Sequence, residues 1–78
     1  MELDYDPKKR FGAHLAALRR ARGISQERLA LESGLARSYL SGVERGIRNI
    51  ALLNICVLAK TLNLPPAELL DFSTHSDA

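Results

Sequence analysis

One cysteine, no tryptophan, two phenylalanines and two tyrosines are all that this 78-residue chain holds of the residues that staple or fill a small core. A lone Cys56 excludes an internal disulfide, and two histidines leave no Cys/His cluster for a structural metal. Five Gly and three Pro are too few for a collagen-like or linker-like chain. No apolar run approaches the roughly 18 residues of a membrane span. The acidic start, Met1 to Asp6, lacks the apolar stretch of a signal peptide. The expectation is a cytoplasmic protein with no membrane partner. β-branched residues are few, and no alternating run is long enough for a strand.

What is present is 46% hydrophobic and 26% charged, enough for one small folded domain and too apolar for a disordered chain. Its core must come from Leu, Ile, Val and Ala. With no disulfide or metal, oligomerisation is the remaining common support for so small a core. Net charge is only +2, but its distribution is uneven. Residues 8–48 carry ten Lys+Arg and three Asp+Glu, net +7, and the flanks carry one Lys and six acids, net −5. A basic block between acidic ends points to a polyanionic partner.

Helix signals run the length of the chain. Asp6-Pro7 reads as an N-cap with Pro in the first turn, followed by Phe11, Leu15 and Leu18 at helical spacing and a stop at Gly23. Ser25 caps a second helix of about eight residues that Gly34 ends. A third runs from Ala36 or Arg37 to Arg45, stopped by Gly46. A fourth spans Leu52 to Leu62, ended by Asn63, and a fifth opens at Pro65-Pro66 and reaches about Phe72. The predicted organisation is a flexible N-terminus over 1–6, one all-α five-helix domain over 7–72 and a flexible tail over 73–78. Only Gly34-Leu35-Ala36 separates the second and third helices, so the pair is a helix-turn-helix.

On a wheel of about 100° per residue, Leu40 and Val43 of the third helix face a core. Arg37, Ser38, Ser41 and Arg45 face outward. A helix with small and basic residues outward fits a DNA major groove, and Arg37 sits in the first turn, where such helices reach base edges. Arginine can donate two hydrogen bonds to the O6 and N7 edge of guanine.

The run Gly23-Ile24-Ser25-Gln26-Glu27 through Gly34-Leu35-Ala36-Arg37-Ser38-Tyr39-Leu40-Ser41-Gly42-Val43-Glu44-Arg45-Gly46 resembles the helix-turn-helix family of Cro and phage lambda-type repressors. Leu58-Ala59-Lys60-Thr61-Leu62-Asn63-Leu64 is similar to that family's fourth helix, and the resemblance covers residues 8 to 72. Arg37-Ser38-Tyr39, Val43-Glu44-Arg45-Gly46 and Arg48-Asn49 most resemble the controller proteins of restriction-modification systems, which are short dimeric regulators. The resemblance implies a lambda-repressor-like fold and base reading by Arg37 and Ser38, with Ser41 beside them. It implies backbone or groove contacts from Gln26, Tyr39, Arg48 and Asn49, with Gln26 also bracing the recognition helix, and the outward face of the wheel adds Arg45 to these contacts. Arg19 and Glu44 match a structural ion pair. Gly42 stands where relatives often carry a base-reading side chain. Ala36 and Ala51 depart from the family's capping residues, and Ala at an N-cap costs roughly 1 kcal/mol.

The fourth helix is apolar on two faces. Leu52, Ile55, Leu58, Ala59 and Leu62 make a core stripe; Leu53, Cys56 and Val57 make a second, nearly opposite. Both must be buried, and a homodimer would cover the second across a two-fold axis. Helix five, through Leu70 and Phe72, is the other place for that interface. Enzyme readings are poor. His14 and His75 have no partner in sequence for nucleophilic or metal chemistry, and Cys56 reads as a small hydrophobe. No cofactor, metal or small-molecule ligand is implied. The expected function is homodimeric, sequence-specific binding of double-stranded DNA at a pseudo-palindromic operator, to regulate transcription. A phage- or plasmid-type repressor, an antitoxin-like autoregulator and a protein-interaction module are the alternative roles.

Overall fold

The computed structural model describes residues 1–73, and these form five helices with no strand. They are α1 (Pro7–Ala21), α2 (Gln26–Ser33), α3 (Arg37–Glu44), α4 (Leu52–Thr61) and α5 (Pro66–Leu70). Local chemistry sets the first boundaries as expected. The Asp6 carboxylate accepts hydrogen bonds from the amides of Lys8 and Lys9, and Ser25 Oγ accepts from Arg28 N. Gly34 closes α2 at φ 77°, a left-handed conformation that a side chain resists. Ala36 and Ala51 precede α3 and α4 with no side-chain cap, so tertiary packing fixes both starts.

That packing buries Leu15, Leu29, Leu40, Leu58, Leu62, Leu69 and Val43 completely, one or more from each helix. α3 lies against α1 and α2, and α5 closes over α1 and α4. Gly12 lets α3 come close. A Cβ there would stand 2.3 Å from the Val43 carbonyl oxygen and 2.7 Å from that of Glu44, so the end of α3 rests on the backbone of α1.

The structure departs from the sequence expectations in several places. Leu52, assigned to the core stripe of α4, is 70% exposed; Ile50 from the preceding loop packs against the core instead. α5 ends at Leu70, not Phe72. The chain leaves helical geometry at Asp71, and the Phe72 ring turns back to meet Phe11 edge-on at 6.5 Å and Tyr5 at 6.4 Å. The same ring packing reaches into the segment expected as a flexible N-terminus over 1–6. Tyr5 is half-buried, with the Arg10 guanidinium 4.6 Å from its ring centroid, and Asp6 is tied down as a cap. Of the tail expected over 73–78, residues 74–78, His75 among them, lie outside the described residues.

Candidate nucleic-acid interface

Arg37 and Ser38 open α3 and are both exposed, while Leu40 and Val43 anchor its other side in the core. Burial of those two residues fixes the helix's rotation, so the first-turn side chains must point outward. Ser41 is half-buried on the same helix, and its carbonyl accepts from Arg45 Nε at 3.4 Å. Arg45 is exposed at the helix end, and Arg48 and Asn49 are exposed in the loop that follows.

An acid on such a surface would repel phosphate, and each of the three acids in the 8–48 block is met by an arginine. Glu44 receives Arg19 Nε at 2.8 Å, Arg19 Nη2 at 3.0 Å and Gln26 Nε2 at 3.0 Å. The two side chains of that ion pair are only 10% and 6% exposed. Arg19 Nη1 also donates to the Ile24 carbonyl at 3.0 Å, so one guanidinium ties α1, the α1–α2 turn and α3 together. The hydrogen bonds that Arg19 donates to Glu44 hold the guanidinium's pKa above its ordinary value against the opposing effect of burial. The guanidinium's contribution to stability is therefore complete below the ordinary arginine range and is lost only as pH rises through the elevated folded value. Glu32 is bonded by Arg28 one turn away on α2. Glu27 Oε2 lies 3.6 Å from Arg37 Nη1. No local spacing links 27 to 37; the α2–α3 turn brings them together.

Tyr39 is half-buried between α3 and α4, and its hydroxyl accepts from Asn54 Nδ2 at 3.1 Å. Gly42, which stands where relatives often carry a base-reading side chain, is buried under Arg48; a Cβ would stand 2.7 Å from Arg48 Cγ. The arginine lies across the bare helix backbone with its guanidinium carbon 5.9 Å from the Tyr39 ring centroid. The missing side chain is thus a seat for a cation delivered from the next loop.

The expected interface residues of α4 and α5 divide. Leu53 is 72% exposed, Cys56 is exposed and Val57 is half-buried, and Leu52 widens the same apolar surface. Leu70 is 48% exposed. Phe72 is occupied within its own chain by Phe11 and Tyr5. His14 Nε2 lies 2.6 Å from the Glu68 carbonyl oxygen and ties α1 to α5. Among the described residues no group of His, Cys, Asp or Glu is placed to hold a metal, and no helix is long and apolar enough to cross a membrane.

Two short helices at a tight left-handed turn, the second presenting an exposed basic first turn, define a helix-turn-helix domain. The chain belongs to the helix-turn-helix family, whose model matches residues 15–69. Control protein C.BamHI of Bacillus amyloliquefaciens is 45% identical over 65 residues, covering 82% of this chain and 80% of the relative. Among solved structures, the restriction-modification controller protein C.AhdI from Aeromonas hydrophila is 54% identical, with a TM-score of 0.80 over 83% of this chain and 98% of that one. The controller protein C.Esp1396I, solved as a tetramer with its natural 35 base-pair operator, is 28% identical, with a TM-score of 0.74 over 81% and 83% of the two chains.

Proposed function

We propose that this protein acts in the cytoplasm as a homodimeric, sequence-specific binder of double-stranded DNA that regulates transcription, and that its role is control of a restriction-modification system. The observation that carries the reading is the outward first turn of α3. Arg37 and Ser38 stand exposed there, the core holds the helix's orientation, and the nearest buried acid is neutralised. Kinship with control protein C.BamHI and C.AhdI supports the biological role. Arg37, Ser38 and Ser41 are assigned to base edges. Gln26, Tyr39, Arg45, Arg48 and Asn49 are assigned to the sugar-phosphate backbone or groove. The apolar surface of Leu53, Cys56 and Val57, flanked by Leu52 and Leu70, is assigned to the dimer, which would present two copies of α3 to successive major grooves about 34 Å apart.

Selection from random duplex DNA tests the reading. A pseudo-palindromic site should emerge, and affinity for it should fall steeply between about 50 and 200 mM salt as counterions are released. No preference among sequences would identify an interaction module instead. Arg37→Ala should cost about 1–3 kcal/mol and relax preference at one symmetric position of the site. Equal loss on specific and random DNA would reassign Arg37 to phosphate.

Gly42→Ala tests the seat of Arg48. A methyl group 2.7 Å from Arg48 Cγ must push that side chain aside. Duplex affinity should fall about as far as in Arg48→Ala, and the two changes together should do no more than either alone. Full additivity would show that Gly42 does not act through Arg48.

A further inference from the structure

Lys8 and Lys9 occupy the first turn of α1, with no acidic residue among them. That is an electrostatically poor place for two cations, because the positive end of the helix dipole lies there and favours acids. Both lysines are exposed, and neither joins an ion pair among the described residues. The helix end itself is not available to an anion, since Asp6 already accepts from the amides of Lys8 and Lys9. What the turn offers to solvent is charge on two long side chains, held where the helix would be more stable without it. Conflict between local stability and sequence is a mark of function.

The fold puts these lysines next to the loop that follows α3. A Cβ at Gly46 would stand 2.7 Å from Lys9 Cγ and 2.8 Å from Lys9 Cα, so the loop rests on the backbone of α1 at that point. Lys8 lines one cleft with Arg48 and Asn49, the two loop residues assigned above to DNA. Lys8, Lys9 and Arg48 therefore form one cationic edge built from two distant parts of the sequence. A duplex carries one negative charge per roughly 1.7 Å of axis. A protein docked through Arg48 and Asn49 would have further phosphates within reach of the first turn of α1.

We propose that Lys8 and Lys9 are phosphate-contacting residues that extend the duplex-binding surface from α3 and its following loop onto α1. The proposal rests on the DNA-binding reading and adds to it an interaction that reads no sequence. Lys9 packs through its aliphatic stem, so its charge can be removed without removing that stem.

The test uses the full chain with Lys8→Gln and Lys9→Gln together. Two probes are needed: the duplex selected from the random library and a random-sequence duplex of equal length. The slope of log affinity against log salt should become shallower by roughly 0.9 for each phosphate that is no longer neutralised. Both duplexes should weaken alike, leaving the specificity ratio unchanged. Lys60→Gln, at the end of α4, should leave the slope as it was. Thermal stability of the double variant should hold or rise, because the conflict with the helix dipole is relieved. An unchanged slope, or a weakening confined to the selected duplex, overturns the proposal while leaving the DNA-binding reading intact. A fall in melting temperature large enough to account for the weaker binding would make the lysines structural and overturn it too. If the unaltered protein binds neither duplex, the DNA-binding reading fails and takes this proposal with it.

Discussion

Leu53→Glu is expected to convert the protein to a monomer and to weaken binding to a two-half-site operator by about 10²–10⁴-fold, the advantage that linking two binding modules confers. Leu53 is 72% exposed in the single chain, so the change removes little packing within it and should cost the isolated domain no more than about 0.5 kcal/mol. In the proposed dimer the same residue would meet its own copy or a near neighbour across the two-fold axis. Two introduced carboxylates would then be buried close together without a cation. Leu52, Leu53 and Cys56 form an exposed apolar surface that a small domain gains by covering. Sedimentation of the variant decides the matter. The unaltered protein should also melt at a temperature that rises with its concentration, and the variant should not. A dimer that survives Leu53→Glu with unchanged association would move the interface to α5 around Leu70. Phe72 would not contribute there, since its ring is held by Phe11 and Tyr5.

Arg19→Ala should be the most destabilising single change, by about 3–5 kcal/mol, because it leaves a buried carboxylate without its cation. The Glu44 side chain, 6% exposed, would keep only the hydrogen bond from Gln26, and the Ile24 carbonyl would lose its donor. A domain of this size has total stability near the low end of the usual range of about 5–15 kcal/mol, so much of the chain should unfold at ambient temperature. Urea unfolding followed by circular dichroism gives the loss directly. Arg19→Lys keeps the charge but not the forked pair of donors, and should recover only part of the stability. The pair of Arg28 and Glu32, 63% and 39% exposed, is the internal contrast; Arg28→Ala should cost about 0.5 kcal/mol or less. Equal effects at Arg19 and Arg28 would mean that burial does not govern the strength of these pairs.

The helices and the helix-turn-helix were legible from local chemistry. Asp6, Ser25 and Gly34 act on their own neighbours, and hydrogen bonds to the nearest amides or a left-handed turn need no distant partner. Periodicity placed Leu40 and Val43 inside and Arg37 and Ser38 outside for the same reason: a helix of known pitch divides its residues between two sides. Resemblance to a family supplied the pairing of Arg19 with Glu44, which no spacing rule would have found across 25 residues.

Tertiary structure decided the points at which elements end or meet. Leu52 and Ile50 sit at the edge of a helix, where periodicity is weakest, and only packing determined which of them reached the core. Phe72 left the helical pattern because two aromatic rings from the N-terminal part of the chain were within reach. Gly42 reads in sequence as an absent side chain; in three dimensions it is the space that Arg48 fills. Lys8 and Lys9 read as two more charges in a basic block until the close approach at Gly46 sets them beside the loop after α3. Sequence by itself determined which segments are helical and which of their faces are apolar, because those properties arise within a few residues. The composition of the basic edge depended on how α1 crosses the end of α3, a meeting of residues far apart in the chain that only folding creates.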